Sequence, residues 1–137
     1  MGLYLCIFDG GEEVEGVEIG AYADFNALRN CVARELEGDK AGSKFPTLIL
    51  HSDCDGEWSP SEAGKLEKEL ISISEEFRRH PPISIDSSWQ KQVAKGFGLH
   101  VNSLYDCFFD VDGEPLLERL IALARLSQQR NLPILFQ

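Results

Sequence analysis

Thr47-Leu48-Ile49-Leu50-His51-Ser52-Asp53-Cys54-Asp55-Gly56-Glu57-Trp58-Ser59-Pro60-Ser61-Glu62 carries an apolar run, an acidic turn and a helix start in immediate succession. The run Thr47 to Leu50, led in by Phe45-Pro46, reads as a buried strand. Ser59 stands where an N-cap belongs, Pro60 takes the first helical position, and Glu62 completes a capping box. Behind it Ala63, Leu66, Leu70, Ile73 and Phe77 repeat at helical spacing, the cleanest such stripe in the chain. Arg78, Arg79 and His80 suit the negative end of that helix, and Pro81-Pro82 ends it. The pentapeptide D-x-D-G-E at Asp53 to Glu57 returns as Asp110-Val111-Asp112-Gly113-Glu114, again after apolar residues and again before a helical pattern.

Working outward, Leu3 to Phe8 is a β-rich run closed by the turn signal Asp9-Gly10-Gly11. Val14 to Ile19 alternates apolar and acidic residues and reads as the second arm of a hairpin. Phe25, Leu28, Val32 and Leu36 mark an amphipathic helix that Gly38 is placed to stop. Ser87 or Ser88 opens a further helix with Trp89, Val93 and Phe97 on one side, ended early by Gly96 and Gly98. Residues 99–109 admit two readings, a helical turn with a strand or an ordered loop. After the second D-x-D-G-E, Leu116, Leu117, Leu120, Ile121 and Ala124 give a helix to about Gln129, and Pro133 to Phe136 a terminal strand. The expectation is one α+β domain spanning residues 1–137. Its small mixed sheet of three to four strands (opening hairpin, central strand, C-terminal strand) packs with about four helices.

A chain of 137 residues is long enough to bury one core, hiding roughly 68% of its unfolded surface. Hydrophobic content of 43% and charged content of 26% fit a water-soluble globular domain, and no apolar run approaches membrane-spanning length. The first residues lack a basic region, so no secretory signal is expected, and Cys6 at the sixth position breaks a myristoylation pattern. Four cysteines without a C-x-x-C pair read as reduced thiols in a cytoplasmic protein, with Cys6 and Cys31 in apolar-periodic segments. Twenty-three acidic against thirteen basic residues give a net charge of −10, which argues against direct nucleic-acid binding and for attraction to basic partners.

Four chemistries bear on the acidic motifs and the residues around them. Phe108-Phe109-Asp110-Val111-Asp112-Gly113 resembles the first motif of haloacid-dehalogenase-type phosphotransferases, where the first Asp is the nucleophile. Both copies here continue with Glu where that family has Thr, and the short remainder after Glu114 leaves no room for its later motifs. An EF-hand register fails, since a loop starting at Asp53 places Trp58 at position 6 and one starting at Asp110 places Pro115 there. A transition-metal set of His51, Asp53, Cys54, Asp55 and Glu57 has no supporting spacing, and no metal or other cofactor is expected. A nucleophile pair of Cys54 or Cys107 with His51 or His100 has no local signature. The structural reading is simpler: Asp accepts hydrogen bonds from its own turn, Gly supplies a positive φ, and Glu meets a helix start. Asp53, Asp55, Glu57, Asp110, Asp112 and Glu114 would then form two acidic clusters. Trp58 beside the first has two readings, core packing or the aromatic anchor of a protein-binding patch.

Three blocks together carry a resemblance: Gly2-Leu3-Tyr4-Leu5-Cys6-Ile7-Phe8-Asp9, the stretch Thr47 to Pro60, and Leu104-Tyr105-Asp106-Cys107-Phe108 through Asp110 to Leu116. In content and order they resemble the immunity protein 70 family of bacterial polymorphic toxin systems. The resemblance implies a cytoplasmic, non-catalytic protein that binds a cognate toxin domain and protects its producer. A basic, nuclease-type toxin would suit the charge. The alternative carried forward is a small metal-dependent hydrolase using the Asp-x-Asp-Gly loops.

Overall fold

The computed structural model describes residues 2–52, 56–83 and 88–137. The opening hairpin is present as β1 (Gly2–Asp9) and β2 (Glu12–Ala21), antiparallel and turned at Gly10 and Gly11, both at positive φ. Helices α1 (Tyr22–Leu36) and α2 (Pro46–Ile49) follow, then the two-residue strand β3 (Glu57–Trp58) and α3 (Pro60–Phe77). The remainder is α4 (Ser88–Phe97), a 3-10 turn over Leu104–Cys107, α5 (Leu116–Arg130) and β4 (Ile134–Phe136). Sheet order is β2-β1-β4-β3.

Alternation along β1 decides which face is covered. Leu3, Leu5 and Ile7, with Val17 and Ile19 of β2, join the buried cluster to which α1, α3 and α5 contribute Phe25, Leu28, Leu66, Leu70, Leu120 and others. Tyr4 and Phe8, on the opposite side of the pleat, are only half-buried. The capping box before α3 forms as the sequence predicts: Glu62 N–H donates to Ser59 Oγ at 3.1 Å and Ser59 N–H to Glu62 Oε1 at 3.0 Å.

Two expectations need correction. The sheet is antiparallel throughout its described pairs rather than mixed. And the expected central strand at Thr47 to Leu50 is the short helix α2, with Leu50 beyond its end and 67% exposed. The two corrections share one cause, because that strand was the partner a parallel crossover required. Tertiary groups at both ends of α2 override its apolar run. Glu69 of α3 accepts the N–H groups of Thr47 and Leu48 at 3.2 and 3.1 Å. Arg29 of α1 donates to the carbonyls of Leu48, Ile49 and His51 at the other end. β4 takes the central place instead, since Asn131 in the left-handed conformation turns the chain back after α5.

Candidate interaction surface

The second acidic turn is built around a carboxylate that faces inward. Phe109 and Pro115 form an isolated antiparallel bridge that closes the loop. Within it, Asp110 Oδ1 accepts the N–H groups of Asp112 and Glu114 at 2.9 and 3.0 Å. Its Oδ2 accepts Arg119 Nε at 3.2 Å, and Arg119 Nη2 donates to Gly16 O of β2 at 3.2 Å. Val111 N–H adds a bond to Glu18 O at 3.4 Å. Gly113 sits at φ 79°, a conformation costly for any residue with a Cβ. Asp110 is 1% exposed, whereas Asp112 and Glu114 are exposed.

The first copy shares the glycine geometry and little else among its described residues. Gly56 has φ 86°, but Glu57 starts β3 and pairs with Leu135 instead of opening a helix. Trp58 is 1% exposed; its indole N–H donates to Thr47 O at 3.1 Å and its ring meets Phe136 edge-on at 4.8 Å. Core packing is therefore the reading of Trp58 that holds. His51 stacks on Phe136 at 4.2 Å, with its ring nitrogens 2.8 and 2.9 Å from the carbonyls of Ser52 and Glu57. Asp53, Cys54 and Asp55 lie outside the described residues.

Glu57 and the second turn lie at opposite edges of the sheet. Glu57 belongs to β3, while Val111 hydrogen-bonds to β2, with β1 and β4 between. Three interstrand steps separate those edges by roughly 14 Å. They do not make one local cluster, but both fit beneath a partner covering a standard interface.

A surface feature absent from the motif reading lies beside the second turn. Helix α4 buries none of its residues fully. Trp89, Val93 and Phe97 of its apolar side, with Gly20, Ala21 and Val111, line an open groove of about 460 Å³. Trp89 is fixed by a 3.0 Å bond from its indole N–H to Asp24 Oδ2, the same oxygen that accepts Ala21 N–H at 2.7 Å. Gly20, at φ 123°, forms the groove's floor: a Cβ there would lie 2.7 Å from Trp89 Cζ2. Phe97 is 62% exposed and rests on the acidic turn, where a Cβ at Gly113 would lie 3.0 Å from its ring. The sequence does show the spacing of Trp89, Val93 and Phe97, but spacing does not say which apolar stripe the fold leaves uncovered.

Among the described residues, the second turn and the buried thiols are not arranged for the catalytic alternatives. An aspartyl nucleophile must present a carboxylate to substrate, and Asp110 is buried with both oxygens accepting internal hydrogen bonds. No group of three His, Cys, Asp or Glu side chains is placed to hold a metal among the described residues. Cys6, Cys31 and Cys107 are buried thiols. Burial pushes Cys31 up to about 11, with Arg34 opposing, and raises Cys107, whose Sγ lies 3.3 Å from the donor Ile83 N–H and 3.5 Å from Ile83 O. Neither is an activated thiolate.

The chain is thus a small α+β domain with an acidic turn against one edge of its sheet, Glu57 on the other edge, and an open apolar groove. It matches the model of the family described as Immunity protein 70 over residues 3–136, and it belongs to that family. Neither a curated protein nor a solved structure matches it. No helix among the described residues is long and apolar enough to cross a membrane.

Proposed function

We propose that this protein binds a cognate toxin domain in the cytoplasm of the producing cell and neutralises it by occupancy, without catalysis. Family membership over nearly the whole chain is the observation that carries this reading. The charge supports it: a net −10 steers association with a basic domain, such as a nuclease whose cleft must attract phosphate. Among the described residues Glu57, Asp112 and Glu114 are the exposed members of the two acidic motifs, and Asp53 and Asp55 join them by sequence position. Asp110 and Trp58 contribute by holding the turns in shape, since neither reaches solvent.

The experiment is growth rescue. The adjacent gene is read for a secreted protein with a toxin domain at its C-terminus, and that domain is induced in a sensitive host with and without this protein. Growth returns with the wild-type chain. Reversing the charges of Asp53, Asp55, Asp112 and Glu114 weakens rescue; full rescue by that variant would remove the acidic turns from the proposal.

A further inference from the structure

We infer that the groove between α4 and the β2–α1 junction receives a large apolar side chain of the toxin domain that is flanked by Lys or Arg. The inference rests on the toxin-binding reading and assigns the site of contact. Three observations converge on this occupant. The first is chemical: Trp89, Val93, Phe97 and Val111 offer an apolar lining, and among the described residues those lining the groove carry no charge, Gln92 being the one polar side chain. The second is the rim. Asp112 directly follows Val111 in the turn under Phe97, and Glu18, whose carbonyl holds Val111, is exposed. Asp24 anchors Trp89 from inside the wall. With Glu18 and Asp112 exposed on the strand and turn beside it and a net charge of −10 on the chain, the slot favours an apolar anchor with cationic neighbours and disfavours an acidic one.

The third observation is preorganisation. Trp89 is held on Gly20 by the Asp24 hydrogen bond and meets Phe109 edge-on at 6.2 Å, and Phe97 lies against Gly113. The aromatic walls are in place before a partner arrives, so little side-chain freedom is left to lose on binding. Aromatic residues at the centre of a contact, ringed by polar ones, are where binding energy concentrates. Leu50, 67% exposed after α2 and lying against Gly42, is a comparable apolar residue outside the groove.

The test titrates purified protein with the toxin domain, made harmless by substitution of its own catalytic residue, in a calorimeter. Wild type gives a stoichiometric complex. Phe97→Asp weakens it by about thirtyfold or more, the loss of one central contact. Leu50→Asp stays within about twofold, the range of a residue outside the contact. Phe97→Ala, which removes the ring without adding charge to an already exposed position, keeps the test valid should the Asp variant melt early. Asp112→Lys slows association. Unchanged affinity in Phe97→Ala, or equal losses in the Phe97 and Leu50 variants, would overturn the groove while leaving toxin binding intact. Absence of any complex with wild type would overturn both.

Discussion

Asp110 and Arg119 form the bond that fastens the second acidic turn to the sheet. The carboxylate takes Arg119 Nε at 3.2 Å while its other oxygen holds the backbone of Asp112 and Glu114, and the same guanidinium reaches Gly16 O in β2. The first Asp of this D-x-D-G-E is therefore scaffold and the second is surface. Arg119 keeps a side-chain exposure of 32%, so the pair is worth less than the roughly 3–5 kcal/mol lost on breaking a fully buried one. Asp110→Ala should cost about 2 kcal/mol and lower the melting midpoint by roughly 6 °C. Asp112→Ala should leave the midpoint unchanged within about 1 °C, as expected for a surface change. Equal midpoints for the two variants in parallel thermal melts would refute this division.

Glu37, at the end of α1, is a second inward-facing carboxylate, buried and accepting the N–H groups of Gly42, Lys44 and Phe45 at 3.1, 2.8 and 2.9 Å. It folds the loop 38–45 back under the helix. Glu37→Ala strands three donors and should destabilise by on the order of 3 kcal/mol, with Glu37→Gln losing less because one acceptor oxygen remains. Urea unfolding reads the order. A Gln variant as unstable as Ala would assign the stabilisation to charge rather than to hydrogen bonding.

Ser59 carries a smaller, local energy. Its Oγ accepts Glu62 N–H at 3.1 Å and closes the box at the start of α3. Ser59→Ala should cost about 1 kcal/mol and Ser59→Asp should restore most of it. Failure of Asp to recover stability over Ala would show that the cap is not what Ser59 supplies.

Cys31 links burial to pH. Its thiol rises from 9.0 to about 11, first because burial disfavours the thiolate, partly offset by Arg34. The folded value lies above the unfolded one, so this group's contribution to stability is complete below about pH 9 and lost as pH rises through about 11. At pH 8 the native protein should resist iodoacetamide at Cys31, and urea should expose it. Peptide mass spectrometry locates the label; modification of Cys31 at equal rates with and without urea would contradict its burial.

The hairpin, four of the helices and the capping box were legible because each rests on local signals: alternation in Val14 to Ile19, helical stripes, and the Ser59-Glu62 pair. The Thr47 to Leu50 run misleads for a non-local reason. Its helical turn depends on Glu69 and Arg29, which are brought to it only by the tertiary fold. The same limit governs the site. Repetition of D-x-D-G-E suggests equivalent loops, yet one meets a strand and the other wraps an arginine nine residues on. The groove was least legible of all, because Trp89, Val93 and Phe97 look like any core stripe until the fold leaves Phe97 in solvent.

Charge-steered toxin binding is read from the association rate of this protein with the cognate toxin domain, measured by stopped flow at low and near-physiological salt. A one-to-one complex is expected, with association slowing severalfold as the Debye length shrinks from about 30 Å at 0.01 M to about 8 Å at 0.15 M ionic strength. No complex, or a rate indifferent to salt, would contradict it.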